Sequence, residues 1–205
     1  MQQFNKDNFH SICDTLAKKD QSFQAILRQY GYPPMWVRPA TFATLIHIIL
    51  EQQVSLASAK AAFVKLKARL GTITPAKLLL LTDEEMRACY FSRQKTIYAR
   101  HLATMLVFKK LQLSKVHSRE NDHIREELKK IKGIGDWTVD IYLMFALQRI
   151  DIFPTGDLAM MQSLKKVKEL QSLTKEEALL IADDWKPYRS VATMMLWHHY
   201  LSKKS

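Results

Sequence analysis

The sequence predicts an all-α protein. Apolar residues recur at helical spacing along nearly the whole chain, and turn markers are few: five glycines and six prolines in 205 residues. Hydrophobic residues make up 47% of the total, enough for a core of ordinary size.

Each element follows from that pattern. Asp7–Lys18 and Gln21–Tyr30 read as short amphipathic helices, and Gly31-Tyr32-Pro33-Pro34 breaks the chain after them. A helix is expected over Thr41–Glu51, and another opens near Ser55, whose hydroxyl suits an N-cap. The pattern then predicts helices over Pro75–Leu80, Asp83–Cys89, Gln94–Leu111, Arg119–Ile131, Trp137–Leu147, Leu158–Lys168, Lys175–Asp184 and Ser190–Tyr200. No internal repeat, low-complexity tract or long linker interrupts them.

Composition narrows the partner. Lys and Arg number 31 against 20 Asp and Glu, a formal charge of +11. Such a surplus favours a polyanion and speeds encounter with it, but charge alone suits DNA, RNA, acidic proteins and membrane surfaces equally. The N-terminal MQQFNKDNFHSICD lacks a basic stretch followed by an apolar run, and nothing approaches eighteen uninterrupted apolar residues. A soluble, intracellular protein is expected, cytoplasmic and nucleoid-associated if bacterial, with neither a membrane nor an obligate protein partner. The two cysteines, Cys13 and Cys89, are too few for a four-cysteine iron–sulfur site and fit a reducing compartment. His198 and His199 are adjacent and point to different helix faces, so they do not make a metal site. No metal or cofactor is expected.

The most informative segment is LKKIKGIGDWTVDIYLMFALQRIDIFPTGD, residues 128–157. Gly133 and Gly135 bracket Ile134 between two stretches of helical apolar spacing, which reads as helix, hairpin, helix over 128–138. Backbone N–H groups from Gly133 to Trp137, Asp136 among them, lack intrahelical acceptors at the start of the second helix. With the helix dipole they form a site for a phosphate oxygen. Such a turn grips nucleic-acid backbone without reading sequence, and Lys129, Lys130 and Lys132 add counterion-releasing charge. Taken alone, a glycine turn is more often a plain helix connection, and the lysines equally suit a solvated face. Asp157 follows the non-helical Pro154-Thr155-Gly156 and precedes an apolar run that starts a helix, so its carboxylate sits at a positive helix end. By itself that placement describes an N-cap.

Three motifs in order carry a resemblance that runs from about Tyr32 to Tyr200. They are the Gly-Ile-Gly hairpin with its aspartate twenty positions past Trp137, the stretch Ile48-Ile49-Leu50-Glu51-Gln52-Gln53-Val54-Ser55, and Trp185-Lys186-Pro187-Tyr188-Arg189-Ser190 followed by Trp197. The chain resembles the helix-hairpin-helix DNA glycosylase superfamily, and within it the 3-methyladenine DNA glycosylase II branch. That resemblance implies a single glycosylase unit of two helical lobes with a cleft between them. The first lobe is interrupted in sequence, and the chain has no room for the N-terminal β domain of some relatives. The missing cysteines separate this chain from the iron–sulfur branches.

The resemblance also implies roles. Asp157 matches the catalytic aspartate, which stabilises the oxocarbenium-like charge at the sugar and orients or deprotonates the attacking water. Trp137 stands where strand-cutting relatives carry a Schiff-base lysine, implying a monofunctional enzyme whose product is an abasic site. Trp137 and Trp197 match base-pocket positions, with Tyr142 and Tyr188 beside them, and electron-rich rings attract the cationic ring of an alkylated purine. Trp36 and Trp185 are assigned to core or support. Gln53 matches the side chain that fills the space left by the flipped nucleotide, with Gln52 as the alternative. Lys132, Gly133, Ile134, Gly135 and Asp136 are the expected DNA contacts of the hairpin, and Arg189 is a structural or phosphate-contacting residue. The implied partner is double-stranded DNA containing alkylated bases. Two departures stand out: Lys132 where the family often has proline, and the aromatic pair Tyr90-Phe91 where relatives turn through glycine. A non-catalytic hairpin DNA-binding protein and a glycosylase for oxidised or deaminated bases are the alternative readings.

Overall fold

The computed structural model describes residues 2–203, and every regular element in that range is an α-helix. The bridge between Gln3 and Arg149 is an isolated pair rather than a strand. In chain order the helices are α1 (Phe9–Lys19), α2 (Gln21–Tyr30), α3 (Phe42–Glu51), α4 (Leu56–Leu70), α5 (Pro75–Leu79), α6 (Asp83–Ala88) and α7 (Arg93–Val107). There follow α8 (Leu113–His117), α9 (Asn121–Lys129), α10 (Asp136–Phe145), α11 (Leu158–Val167), α12 (Lys175–Asp183) and α13 (Arg189–Ser202).

Many helix starts are set by side chains that accept orphan backbone N–H groups. Thr41, Ser55, Thr74 and Ser92 cap α3, α4, α5 and α7, while Thr82 with Glu85 and Thr174 with Glu177 form capping boxes on α6 and α12. The helix expected over Gln94–Leu111 ends early, at Val107, and a short helix that the pattern did not predict follows it. The chain leaves α7 at Phe108, Lys109 takes a left-handed φ of 55°, and the short α8 begins at Leu113. No glycine or proline marks that break, so the lysine itself adopts the turn conformation. The helix expected over Arg119–Ile131 is shorter at both ends, since α9 starts only after its Glu120 cap.

The chain divides into two units. One takes the N-terminal residues through Val37 together with those from Leu143 onward; the other is Arg38–Tyr142. In the second unit α3 is largely apolar, and Leu45, Ile46, Ile48 and Ile49 are wholly buried. Each such side chain contributes roughly 1.5–3 kcal/mol when removed from water. In the first unit Phe4, Phe9, Leu16, Phe23, Leu164, Trp185 and the middle of α13 are buried, and the Phe23 ring meets Trp185 edge-on at 4.9 Å between centroids.

Several buried polar groups in the first unit are matched. Asp20 caps α2 through Ser22 N and also accepts from Lys168 Nζ at 2.7 Å and Trp185 Nε1 at 2.9 Å. Burial pushes its carboxyl up, but those donors outweigh burial and hold it below the usual range. Ser163 and His199 Nδ1 are 2.7 Å apart, and burial lowers the imidazole to about 4. The cysteines are buried and free, and burial raises the Cys13 thiol to about 12. Among the described residues no helix is long and apolar enough to cross a membrane.

Asp140, in the second unit, yields a pH prediction. Burial pushes its carboxyl up to about 6, against the pull of Arg125 Nη2 at 2.5 Å. Between about pH 4 and 6 the folded chain keeps a proton that the unfolded chain releases, so this contribution is full at low pH and is lost as pH rises through 6. Asp140→Asn removes the titration. Its stability relative to the native protein should rise by about 2 kcal/mol between pH 4.5 and pH 7.5. Paired thermal melts across that range test this, and a pH-independent difference contradicts it.

Candidate active site and nucleic-acid interface

In the first unit, the segment that carries Asp157 is held by the start of α13. Ser190 is wholly buried; its Oγ donates to Arg149 O at 2.6 Å and accepts from Ile152 N at 2.9 Å. Arg189 donates from Nε and Nη2 to the two carboxylate oxygens of Asp151 at 2.7 and 2.8 Å, a bidentate pair of the strong kind. The chain then runs through buried Ile152, Phe153 and Pro154 to a turn closed by Asp157 N on Pro154 O. Arg189 thus sits in a structural position, with its fork on a carboxylate.

Asp157 opens α11 as its N-cap, half-buried. Its Oδ1 accepts from Met160 N at 2.8 Å and from Trp197 Nε1 at 2.9 Å. The Trp197 indole is 8% exposed and stands against Phe145 at 5.5 Å and edge-on to Trp36 at 6.3 Å between ring centroids. Two N–H donors and the N-terminal end of a helix therefore converge on one carboxylate, an arrangement that fixes its direction. Leu158, directly after it, is 78% exposed, so water reaches this end of α11. Tyr188 is half-buried at the start of α13, with its backbone N–H on Trp185 O.

The hairpin lies in the second unit. Gly133 has φ 84°, a conformation that strains any residue with a Cβ, and a Cβ there would collide with the Tyr98 ring. Ile134 is buried and pins the turn. Lys132, Gly135 and Asp136 are exposed, and Trp137 is half-buried. The Lys132 backbone N–H is taken by His101 Nδ1 at 2.9 Å, while Asp136 accepts from Lys129 Nζ at 2.7 Å. Gln52 does not project to solvent. Its Nε2 donates to both Gly133 O and Thr138 Oγ1, each at 2.9 Å, whereas Gln53 is exposed with a left-handed φ of 56°. Tyr142 is wholly buried and its hydroxyl meets His117 Nε2 at 2.7 Å, a core placement.

This succession of helices, glycine hairpin and downstream aspartate is matched at the level of a family. Residues 46–187 fit the model of the HhH-GPD superfamily base excision DNA repair protein. The chain belongs to that family. A Bacillus subtilis protein named putative DNA-3-methyladenine glycosylase is 26% identical over 201 residues, covering 94% of this chain and 69% of its own. The DNA-3-methyladenine glycosylase 1 of Schizosaccharomyces pombe is 28% identical over 190 residues, 89% of this chain and 83% of its own. Among solved structures, a 3-methyladenine DNA glycosylase from Schizosaccharomyces pombe in complex with abasic DNA superposes with a TM-score of 0.84 at 26% identity, over 91% of this chain and 95% of that one.

Several residues of this HhH-GPD chain gain a place that sequence reasoning had not given them. Asp151 and Ser190 hold the approach to Asp157; Tyr98 and His101 hold the hairpin; Phe145 and Trp36 hold Trp197. Trp36, as an aromatic assigned to core or support, and Ser190, as part of the C-terminal motif, carried a signal. The others depend on contacts between distant parts of the chain.

Proposed function

We propose that this protein is a monofunctional DNA glycosylase that removes alkylated purines such as 3-methyladenine and 7-methylguanine from duplex DNA and leaves an abasic site. The observation that carries the reading is the Asp157 carboxylate, fixed by the Met160 N–H and the Trp197 indole at a helix start in a chain of the base excision repair family. The names of its relatives, which refer to 3-methyladenine glycosylases, support the substrate class.

An alkylated purine carries positive charge on its ring and is already a good leaving group. When its glycosidic bond breaks, the bonding electrons leave with the base and positive charge spreads over C1′ and the ring oxygen of the sugar. An ionised Asp157 stabilises that charge and accepts the proton of the water that bonds to C1′. The Trp197 and Trp137 indoles, with Tyr188, are the aromatic groups we assign to the cationic base; the buried Tyr142 takes a supporting role. The hairpin, with Lys132 and the turn Gly133-Ile134-Gly135-Asp136, binds the phosphate backbone, and Gln53 fills the space that the flipped nucleotide leaves. Trp137 gives the site no amine with which to form a Schiff base.

A duplex with a single labelled 7-methylguanine tests the reaction class. The expected product is an intact strand that breaks only on alkali treatment, with no covalent enzyme–DNA adduct on adding borohydride. Strand cleavage at neutral pH, or a borohydride-trapped adduct, would contradict a water nucleophile.

A further inference from the structure

Three parts of the second unit meet on one face of α7. Lys95 Nζ donates to Leu50 O at 2.7 Å and so caps the end of α3; the Tyr98 ring lies against Gly133; His101 Nδ1 holds the Lys132 N–H. Residues 95, 98 and 101 are three apart, so a single helical stripe supports both the α3 end and the hairpin. Burial lowers the Lys95 ammonium, the cost of placing that cap inside.

Gln52 makes the direct connection. It is the C-cap of α3, and the two donors of its amide are both used, on a hairpin carbonyl 81 residues away and on Thr138 at the start of α10. The next residue, Gln53, turns outward at φ 56° and is exposed, and Ser55 then caps α4. The residue that ties down the hairpin therefore directly precedes the residue that faces solvent. A glutamine is suited to this: its amide supplies two N–H donors in one plane, matching one carbonyl and one hydroxyl.

We propose that Gln52 is a positioning residue that sets the register between the Gln53 loop and the hairpin, so that backbone grip and insertion of Gln53 occur together on the duplex. This rests on the proposed functions of the hairpin and Gln53. Glycosylases must favour damaged over undamaged sites, and a loop held in register with the phosphate anchor loses less freedom on insertion than a loose one. Gln52 acts on DNA through Gln53 and the hairpin, without touching a base itself.

The test compares Gln52→Leu, Gln53→Ala and the double variant, reading dissociation constants by fluorescence anisotropy for an undamaged duplex and for one with a tetrahydrofuran abasic analogue. Thermal melts confirm that each variant is folded at the assay temperature. Gln52→Leu should lower the preference for the abasic duplex roughly tenfold, the worth of one well-made interaction, with little change on undamaged DNA. In the Gln52→Leu background, Gln53→Ala should add almost nothing. A purely structural glutamine would instead weaken both duplexes alike, with the Gln53→Ala effect undiminished, and that result overturns the proposal. If Gln53→Ala changes the preference and Gln52→Leu does not, the role of Gln52 fails while that of Gln53 stands; if neither changes it, both fail.

Discussion

Asp157→Asn is expected to lower the single-turnover rate of base release by a factor on the order of 10²–10³, while binding to abasic-analogue duplex and the melting temperature stay close to native. The substitution isolates charge. Asparagine caps a helix as well as aspartate does, and its carbonyl oxygen can take over the hydrogen bonds from Met160 N and Trp197 Nε1. What it removes is the negative charge that the proposed mechanism sets against the sugar as the glycosidic bond breaks. Comparison with Asp157→Ala sharpens the result, because alanine also gives up the cap and should cost about 1 kcal/mol of stability that asparagine keeps. Equal rates for the native protein and the asparagine variant, measured under single-turnover conditions, would remove Asp157 from the chemistry and leave it a helix cap alone.

Gly133→Ala should be the most damaging small substitution in the hairpin. Two costs combine: the left-handed φ of 84°, and a Cβ that collides with the Tyr98 ring, itself hydrogen-bonded to Gln94. Together they amount to roughly 3 kcal/mol, which in a chain of this size lowers Tm by about 6–12 °C. Gly71→Ala separates the two, since Gly71 also has a left-handed φ, of 66°, but nothing within 4 Å of its Cβ position. Tyr98→Ala should partly rescue Gly133→Ala by removing the obstacle. If Gly133→Ala and Gly71→Ala melt alike, the tight approach of α7 to the hairpin plays no part in stability.

What the sequence made legible was the local part of this structure. Ser55 reads as a cap because a hydroxyl precedes an apolar helical run, and it accepts from Ser58 N in the fold. The turn at residues 133–135 is legible because glycines bracket a single apolar residue. The break after α7 was not legible, because Lys109 adopts by itself a conformation that usually calls for glycine or asparagine. Side-chain partners across long separations were equally hidden. Nothing near Arg189 announces Asp151, 38 residues away, and nothing near Gln52 announces Gly133. Tyr142 shows the limit of periodicity: an aromatic on the apolar stripe of α10 reads equally well as pocket or core until His117 is found at its hydroxyl.

The proposed function requires that the purified protein free alkylated bases from DNA. Duplex DNA treated with dimethyl sulfate, incubated with the native protein and analysed by chromatography of the ethanol-soluble fraction, measures this directly. Free 3-methyladenine and 7-methylguanine, rising with time above a no-protein control, are the predicted result. Duplex that is bound by the protein yet yields neither base would contradict it and favour a hairpin protein that only binds DNA.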